Sequence, residues 1–315
     1  MMRKASCVAS TSEHGFVLVA VLWIIAGLSA LAMIFAVYLS NSAQALAVND
    51  AGLQAEALVS ASLELTAYQL SLAGDNARPL QGSFHYRLDK AEILVSFVSE
   101  TALIDLNLAP KELLANLLSG LGADQEDAGR YADRILGWRT SPKAGPAEDE
   151  VSLYRAAGLA YSPRQAPFAH VNELALVLGL PPALVDRALP FVTVFSGLSK
   201  INVLVAPPEV IAALPGMTPS GLKEFLRERP ALPRDMPAIA TALGPAQASA
   251  TIEKSNSFRI LTTIKFSNGR RASSEVVIRL DKEKEEDPYR VLSWEDEVGA
   301  ARSHPRKLAD DSDDL

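Results

Sequence analysis

The sequence predicts an α+β protein in which one long N-terminal helix packs on a small antiparallel sheet and a large helical domain is inserted into that sheet. Three observations carry this. Residues 16–39 form an apolar run of 24 residues without a charge. Strand-like alternation occurs in two groups, 82–99 and 258–295. Between them lie about 150 residues of helical pattern punctuated by Gly and Pro.

Composition narrows the function classes. A chain of 315 residues, 49% apolar and 21% charged, has room for two modest domains and too much apolar content to be disordered. The net charge of −7 is concentrated, because residues 281–315 hold 12 acidic and 6 basic side chains. The remainder is close to neutral, which gives no general electrostatic reason to bind nucleic acid. One cysteine (Cys7) and four scattered histidines (His14, His85, His170, His304) form neither a Cys/His zinc cluster nor an intramolecular disulfide. The mean hydropathy of +0.12 comes largely from residues 16–39.

As a helix, that run reaches roughly 36 Å, enough to cross a hydrocarbon core of about 30 Å. Arg3 and Lys4 precede it and no Lys or Arg follows until Arg78, so the positive-inside rule places the N-terminus in the cytoplasm and the rest across the membrane. Three readings compete. A cleaved secretory signal has a shorter apolar stretch, although Ser29-Ala30-Leu31-Ala32 imitates a small-residue cleavage site. A plain uncleaved anchor is the second. The third rests on the boundary at Gly15, where a polar leader stops and the apolar run begins abruptly at Phe16.

That boundary resembles the processing site of the type IV pilin and pseudopilin superfamily. The resemblance implies a prepilin peptidase cutting after Gly15 and methylating Phe16, and a pilin-like fold. Leu46, Leu53, Ala57, Ala61, Leu65 and Leu72 continue a helical spacing with no proline before Pro79, so one helix is expected from Phe16 to Ala73. A separate anchor and amphipathic helix, broken at Asn41–Ala43, is the competing reading. Most superfamily members carry glutamate at the fifth mature position, and this chain has Ala20 there. Absence of that costly buried carboxylate, together with Trp23, is similar to the type II secretion protein K family of minor pseudopilins.

Beyond the turn at 74–79, residues 82–88 and 93–99 read as strands around Asp89-Lys90. Helices are expected at 110–119, 124–138, 150–157, 171–178, 182–191, 207–214, 219–228 and 235–243. Residues 258–266, 273–280 and 289–295 read as returning strands, with Ser267-Asn268-Gly269 a hairpin turn. One interrupted sheet explains this order best; two successive domains are the alternative.

Within the helical block the sequence Leu106-Asn107-Leu108-Ala109-Pro110-Lys111-Glu112 is echoed by Ile201-Asn202, a spacer two residues longer, and Ala206-Pro207-Pro208-Glu209. Proline and glutamate suit a first helical turn, and the asparagine fixes the turn before it. These segments, with Val171-Asn172-Glu173-Leu174 ahead of the glycine hairpin Leu178-Gly179-Leu180-Pro181, resemble the helical domain of the protein K family. The resemblance implies a SAM-like, helix-hairpin-helix-like insertion. The expected divisions are a leader over 1–15, a membrane segment over 16–39 and the rest of the helix with the first strands over 40–99. They continue with the inserted domain over 100–250 as two SAM-like units (about 100–195 and 200–250), returning strands over 251–296 and a disordered acidic tail over 297–315.

The run Glu148-Asp149-Glu150 offers hard oxygen ligands, and Ala147-Glu148-Asp149 match a family segment associated with calcium, so Glu148 and Asp149 are the candidate ligands. The family also carries acidic residues just after a tryptophan, whereas this chain has Trp138-Arg139-Thr140-Ser141. A solvated helix N-terminus is the competing reading. The glycine hairpin resembles DNA-backbone binders, but residues 171–191 hold only Arg187 against Glu173 and Asp186. No G-x-S-x-G, H-E-x-x-H or phosphate loop is present, and no enzymatic activity is expected.

The resulting expectation is a minor pseudopilin at the tip of a type II secretion pseudopilus, serving protein export across the outer membrane. It would be a single-pass inner-membrane protein with a cytoplasmic N-terminus and a periplasmic head. Its partners would be other minor pseudopilins, the prepilin peptidase and secreted substrates, with no cofactor apart from the calcium considered above. The alternative is a single-span inner-membrane protein whose periplasmic domain binds a ligand or partner outside any filament.

Overall fold

The computed structural model describes residues 14–73, 77–141, 150–281 and 288–296, and the side chains of these except 14–16 and 43–51. The leader residues 1–13 and the tail 297–315 lie outside the described residues. The chain divides into two compact units, 1–57 and 58–315. Helix α1 (His14–Leu72) begins in the first. Over Val17–Ser42 it is long and apolar enough to cross a membrane, and none of its most apolar stretch is buried.

In the second unit the end of α1 carries a buried stripe, Leu58, Val59, Ser62, Leu63, Thr66, Ala67 and Leu70. The 3–4 spacing of these residues places them on one helix face. Two of them are polar, and the helix itself satisfies them: Ser62 Oγ donates to Leu58 O at 2.8 Å and Thr66 Oγ1 to Ser62 O at 2.7 Å.

Strands β1 (Gln81–Leu88) and β2 (Ala91–Ser99) form the hairpin around Asp89, whose φ of 54° is the left-handed conformation such a turn requires. After β2 come the short strands β3 (Ile104–Asp105), β4 (Val192–Thr193), β5 (Ile201–Asn202) and β6 (Ala250–Thr251). The long strands resume with β7 (Ser257–Phe266), β8 (Arg271–Leu280) and β9 (Tyr289–Asp296). The main sheet runs β1-β2-β7-β8-β9, antiparallel throughout. Its central pairing joins β2 to β7, with Val95 opposite Thr262, so the whole helical block emerges between two neighbouring strands. Ala91, Ile93, Val95 and Phe97 alternate on the buried face of β2. Both sheet edges are tied to α1. The Tyr86 hydroxyl lies 2.8 Å from Ser62 Oγ and donates to Leu58 O at 3.2 Å, while the Tyr289 hydroxyl donates to Glu64 at 2.9 Å.

The insertion contains α2 (Lys111–Gly120), α3 (Gln125–Arg139), α4 (Glu150–Ala156), α5 (Pro182–Ala188), α6 (Pro208–Ala212), α7 (Pro219–Glu228) and α8 (Met236–Leu243) around one hydrophobic core. It has two lobes, each closed by a parallel two-residue bridge between its entry and its exit. Ile104-Asp105 pairs with Val192-Thr193 in the first, and Ile201-Asn202 with Ala250-Thr251 in the second. These bridges are too short to be read from sequence.

The structure changes the alignment of the internal echo. Sequence identity matches Asn107 to Asn202 and needs a longer spacer; the strand bridges, Asp105 with Thr193 and Asn202 with Thr251, put Asp105 and Asn202 at equivalent positions, and an offset of 97 residues then holds without a gap from Ile104/Ile201 to Glu112/Glu209. Residues 171–178 also differ from expectation. They form a 3₁₀ turn over Val171–Leu176, which His170 Nδ1 caps by accepting the Asn172 N–H and in which the Glu173 carboxylate accepts the Ala169 N–H.

Candidate functional site

Each lobe is stapled by an arginine at the end of a helix. In the first, Arg139 donates from Nη1 to Leu106 O at 2.5 Å and from Nη2 to Ala109 O at 2.8 Å. In the second, Arg229 donates from Nη1 to Ala206 O at 2.7 Å, with Val203 O at 3.5 Å. The four carbonyls match under the same offset of 97 residues, so both guanidiniums hold the turn that feeds the proline-led helix. Arg139, a departure from the protein K pattern in sequence, therefore has a structural task of its own.

The residue heading each turn does equivalent work. Asp105, buried, accepts the Asn107 N–H at 2.9 Å with one oxygen and the Ser196 hydroxyl and Gly197 N–H with the other. Burial pushes its carboxyl above the ordinary value, against the pull of those bonds. Asn202 accepts the Leu204 N–H at 3.2 Å and donates to Glu253 O at 2.9 Å.

Where the insertion leaves the sheet, the 3₁₀ turn Glu100–Ala102 is wholly buried. Glu100 receives Arg259 from β7 through two bonds, Nε to Oε1 at 2.9 Å and Nη2 to Oε2 at 3.3 Å, and also accepts the Thr193 hydroxyl. Arg259 reaches Glu275 on β8 with Nη1 at 3.3 Å. Burial opposes the charge on Arg259, but the carboxylates of Glu100, Glu275 and Glu295 outweigh it and raise its pKa. One guanidinium thus joins the sheet, the turn leaving β2 and the closing strand of the first lobe. No local pattern in the sequence marks these residues; the one trace of them is an arginine interrupting the apolar pattern of FRILTTIKF.

On the first lobe, Trp138 donates its indole N–H to Glu173 at 3.1 Å and its ring lies 5.9 Å from that of Phe168 and 6.1 Å from that of Tyr154. Glu173 also pairs with Arg164 at 3.0 Å. The segment Val171–Leu174 is thus a packing joint whose acid is engaged. Tyr154 accepts the Leu178 N–H at 2.8 Å, and burial raises its phenol to about 12.

The two candidate calcium ligands, Glu148 and Asp149, lie outside the described residues. Their neighbour Glu150 is described, and it pairs with Arg134 at 2.9 Å. Among the described residues there is no group of three or more His, Cys, Asp or Glu side chains able to hold a metal ion. Of the neighbouring cations, Arg134 is engaged by Glu150 and Arg139 by the carbonyls of Leu106 and Ala109. Gly15 and Phe16 lie in the first turn of α1, and nothing further of their placement bears on processing.

Comparison with known proteins adds to this geometry. Residues 95–197 match the family described as type II secretion system, protein K. A segment of 117 residues is 29% identical to type II secretion system protein K of Klebsiella pneumoniae, covering 36% of this chain and 35% of that protein. The aligned part therefore spans about a third of that relative. Among solved structures, a chain of the GspK-GspI-GspJ complex of the type 2 secretion system of enterotoxigenic Escherichia coli superposes with a TM-score of 0.55. The identity is 17%, with 76% of this chain and 94% of that chain covered. At that identity the likeness is one of fold.

Proposed function

We propose that this chain, a member of the type II secretion system protein K family through its residues 95–197, acts as a minor pseudopilin at the tip of a periplasmic pseudopilus. One observation carries the proposal: a membrane-length apolar helix runs into an α1 end tied to an antiparallel sheet, and the family-matching segment is inserted between two paired strands of that sheet. Such an arrangement suits a structural part.

In this reading the N-terminus is cytoplasmic, α1 crosses the inner membrane once and the head lies in the periplasm. The prepilin peptidase cuts after Gly15 and methylates Phe16. Partners are minor pseudopilins equivalent to those of the GspK-GspI-GspJ complex, and secreted proteins meet the tip during export. Ala20 supports the terminal position, since a subunit with nothing above it needs no glutamate to pair there. The insertion adds bulk on the sheet that blocks a further subunit. The role requires neither catalysis nor a cofactor. Any calcium would be held by Glu148 and Asp149; calorimetric titration of the full chain and of Glu148→Ala tests this, with a calcium heat lost in the variant as the result in its favour.

The proposal is tested by intact mass after coexpression with a prepilin peptidase. A chain beginning at N-methylated Phe16 is expected, and an intact leader would overturn it.

A further inference from the structure

The insertion covers one end of the outer face of the main sheet. Leu189 and Phe195 share a cavity wall there with Val98, Arg259 and Val277, which stand opposite one another on β2, β7 and β8. Further along β2, in the row His85, Leu94, Thr263 and Ser273, the cover has ended and Leu94 is 53% exposed. An open groove of about 700 Å³ runs over it, lined by His85, Arg87, Glu92, Leu94, Thr263 and Lys265.

The next row on this face, Arg87, Glu92, Lys265 and Arg271, is basic. Arg87 and Lys265 share the one carboxylate, at 2.5 and 3.7 Å, and stay 78% and 60% exposed. Arg271, and Lys90 in the β1–β2 turn, make no ion pair among the described residues. Arg270 adds a guanidinium stacked 4.7 Å from the Phe266 ring centre. Arg87, Lys90, Lys265, Arg270 and Arg271 thus face Asp89 and Glu92, in a chain whose net charge is −7. The nearest other acids on this face, Glu275 and Glu295, already bond Arg259 and His170. Positive charge beside an exposed leucine is complementary to an acidic segment that carries an apolar side chain.

The chain contains such a segment. Strand β9 runs toward this end of the sheet and stops at Asp296, opposite Ser274, one residue from Ser273 of the leucine row. Beyond it, Leu308 precedes Asp310, Asp311, Asp313 and Asp314. Three strand spacings separate β9 from β2, roughly 14 Å, whereas the chain from Asp296 to Leu308 extends to about 40 Å. In an extended segment Leu308 and Asp310 lie about 6.6 Å apart, which is the distance along β2 from the leucine row to the basic row. Arg302, Arg306 and Lys307 all precede Leu308, so with Leu308 on Leu94 they fall on the side away from the basic row. Weak contacts suffice, because a short flexible linker holds its end at an effective concentration on the order of mM.

We propose that residues 308–314 of this chain dock along β2 in the groove, with Leu308 on Leu94 and the aspartates on Arg87, Lys90, Lys265 and Arg271. The tail is then a strap over the part of the outer face that the insertion leaves open. The inference stands independently of filament assembly.

The test places a nitroxide label on Ser312→Cys in a Cys7→Ser background, using the isotope-labelled full chain in neutral detergent micelles, and reads amide line broadening. Broadening centred on Arg87, Leu94, Lys265 and Arg271 is expected at low salt and should vanish at about 1 M salt, where the screening length falls to about 3 Å. Lys90→Glu/Arg271→Glu should lower the ratio of docked to undocked tail about tenfold, the loss of two exposed pairs. Leu94→Ser should lower it about threefold. Replacing the four aspartates by asparagine should abolish the broadening. No broadening at those four amides, or broadening unchanged in the asparagine or Lys90→Glu/Arg271→Glu variants, would overturn the inference. Two further results would overturn it by assigning the groove elsewhere. Broadening of an isotope-labelled chain without nitroxide, mixed with unlabelled nitroxide-bearing chain, would make the occupant a second copy. Shifts of the same amides on adding phosphatidylglycerol, in a chain whose tail does not broaden them, would make it a lipid headgroup.

Discussion

Replacing Arg259 by methionine tests the root of the insertion. The side chain is 14% exposed and its partner Glu100 is fully buried, so the substitution leaves an uncompensated carboxylate beside the Thr193 hydroxyl. Removing one member of a buried ion pair costs about 3–5 kcal/mol. That is about a fifth or more of the roughly 5–15 kcal/mol that holds a domain folded. Arg259→Lys keeps the charge but loses the fork that serves Glu100 and Glu275 together, and should cost about 1–3 kcal/mol. The double variant Arg259→Met/Glu100→Leu removes both charges, so its loss should fall short of the summed single losses by about 1 kcal/mol or more. Urea denaturation of the full chain in detergent micelles, followed by near-ultraviolet circular dichroism, reads all of these as midpoint shifts. A loss below about 1 kcal/mol in Arg259→Met, or additivity in the double variant, would refute the claim that this pair fastens insertion to sheet.

The two lobe staples should behave as independent copies: Arg139→Ala and Arg229→Ala each cost about 1.5–3 kcal/mol, and their losses add, as urea midpoints of the single and double variants will show. Asp105 gives the insertion a pH dependence. Its folded pKa lies above the unfolded 3.8, so its contribution is complete below about 3.8 and fades as pH rises through the folded value; Asp105→Asn should flatten that fall in a pH series of thermal midpoints. Alkaline titration at 295 nm should show two tyrosines ionising near 12, Tyr154 and Tyr289, each raised first by burial and Tyr289 also by Glu64; Tyr154→Phe and Tyr289→Phe should each remove one. Leu63→Ala, at a fully buried position of α1, should cost about 2–5 kcal/mol in thermal denaturation.

The features legible in the sequence were those with a local cause. A long charge-free run and the absence of proline, both local properties, predict α1, but the apolar series through Leu53, Leu65 and Leu72 points to the wrong face: these three are exposed, and Leu58, Leu63, Ala67 and Leu70 are buried with Ser62 and Thr66, whose hydroxyls bond back to the helix. The Asn268-Gly269 turn was legible because Gly269 sits at φ 83°, a conformation glycine adopts without strain. Residues 171–178 looked helical by spacing, but Glu173 is drawn to Trp138 and Arg164, tertiary partners that no local pattern reveals. Identity matches Asn107 to Asn202, whereas the shared chemistry is an acceptor two residues before an N–H, which Asp105 provides as well as asparagine does. Glu100 and Arg259 are 159 residues apart, and nothing in either segment announces the other. Arg139 could be seen only as a charge in the wrong place for a metal; its role depends on two carbonyls about thirty residues upstream.

Assembly is the most direct test of the account. The full chain is coexpressed with the I- and J-type pseudopilins of the same secretion system and their prepilin peptidase, purified in detergent through a tag on the J-type subunit, and weighed by native mass spectrometry. A complex containing this chain, beginning at Phe16, with both partners is the predicted result. Recovery of the I and J subunits together without this chain, when all three are abundant in the membrane, would contradict it.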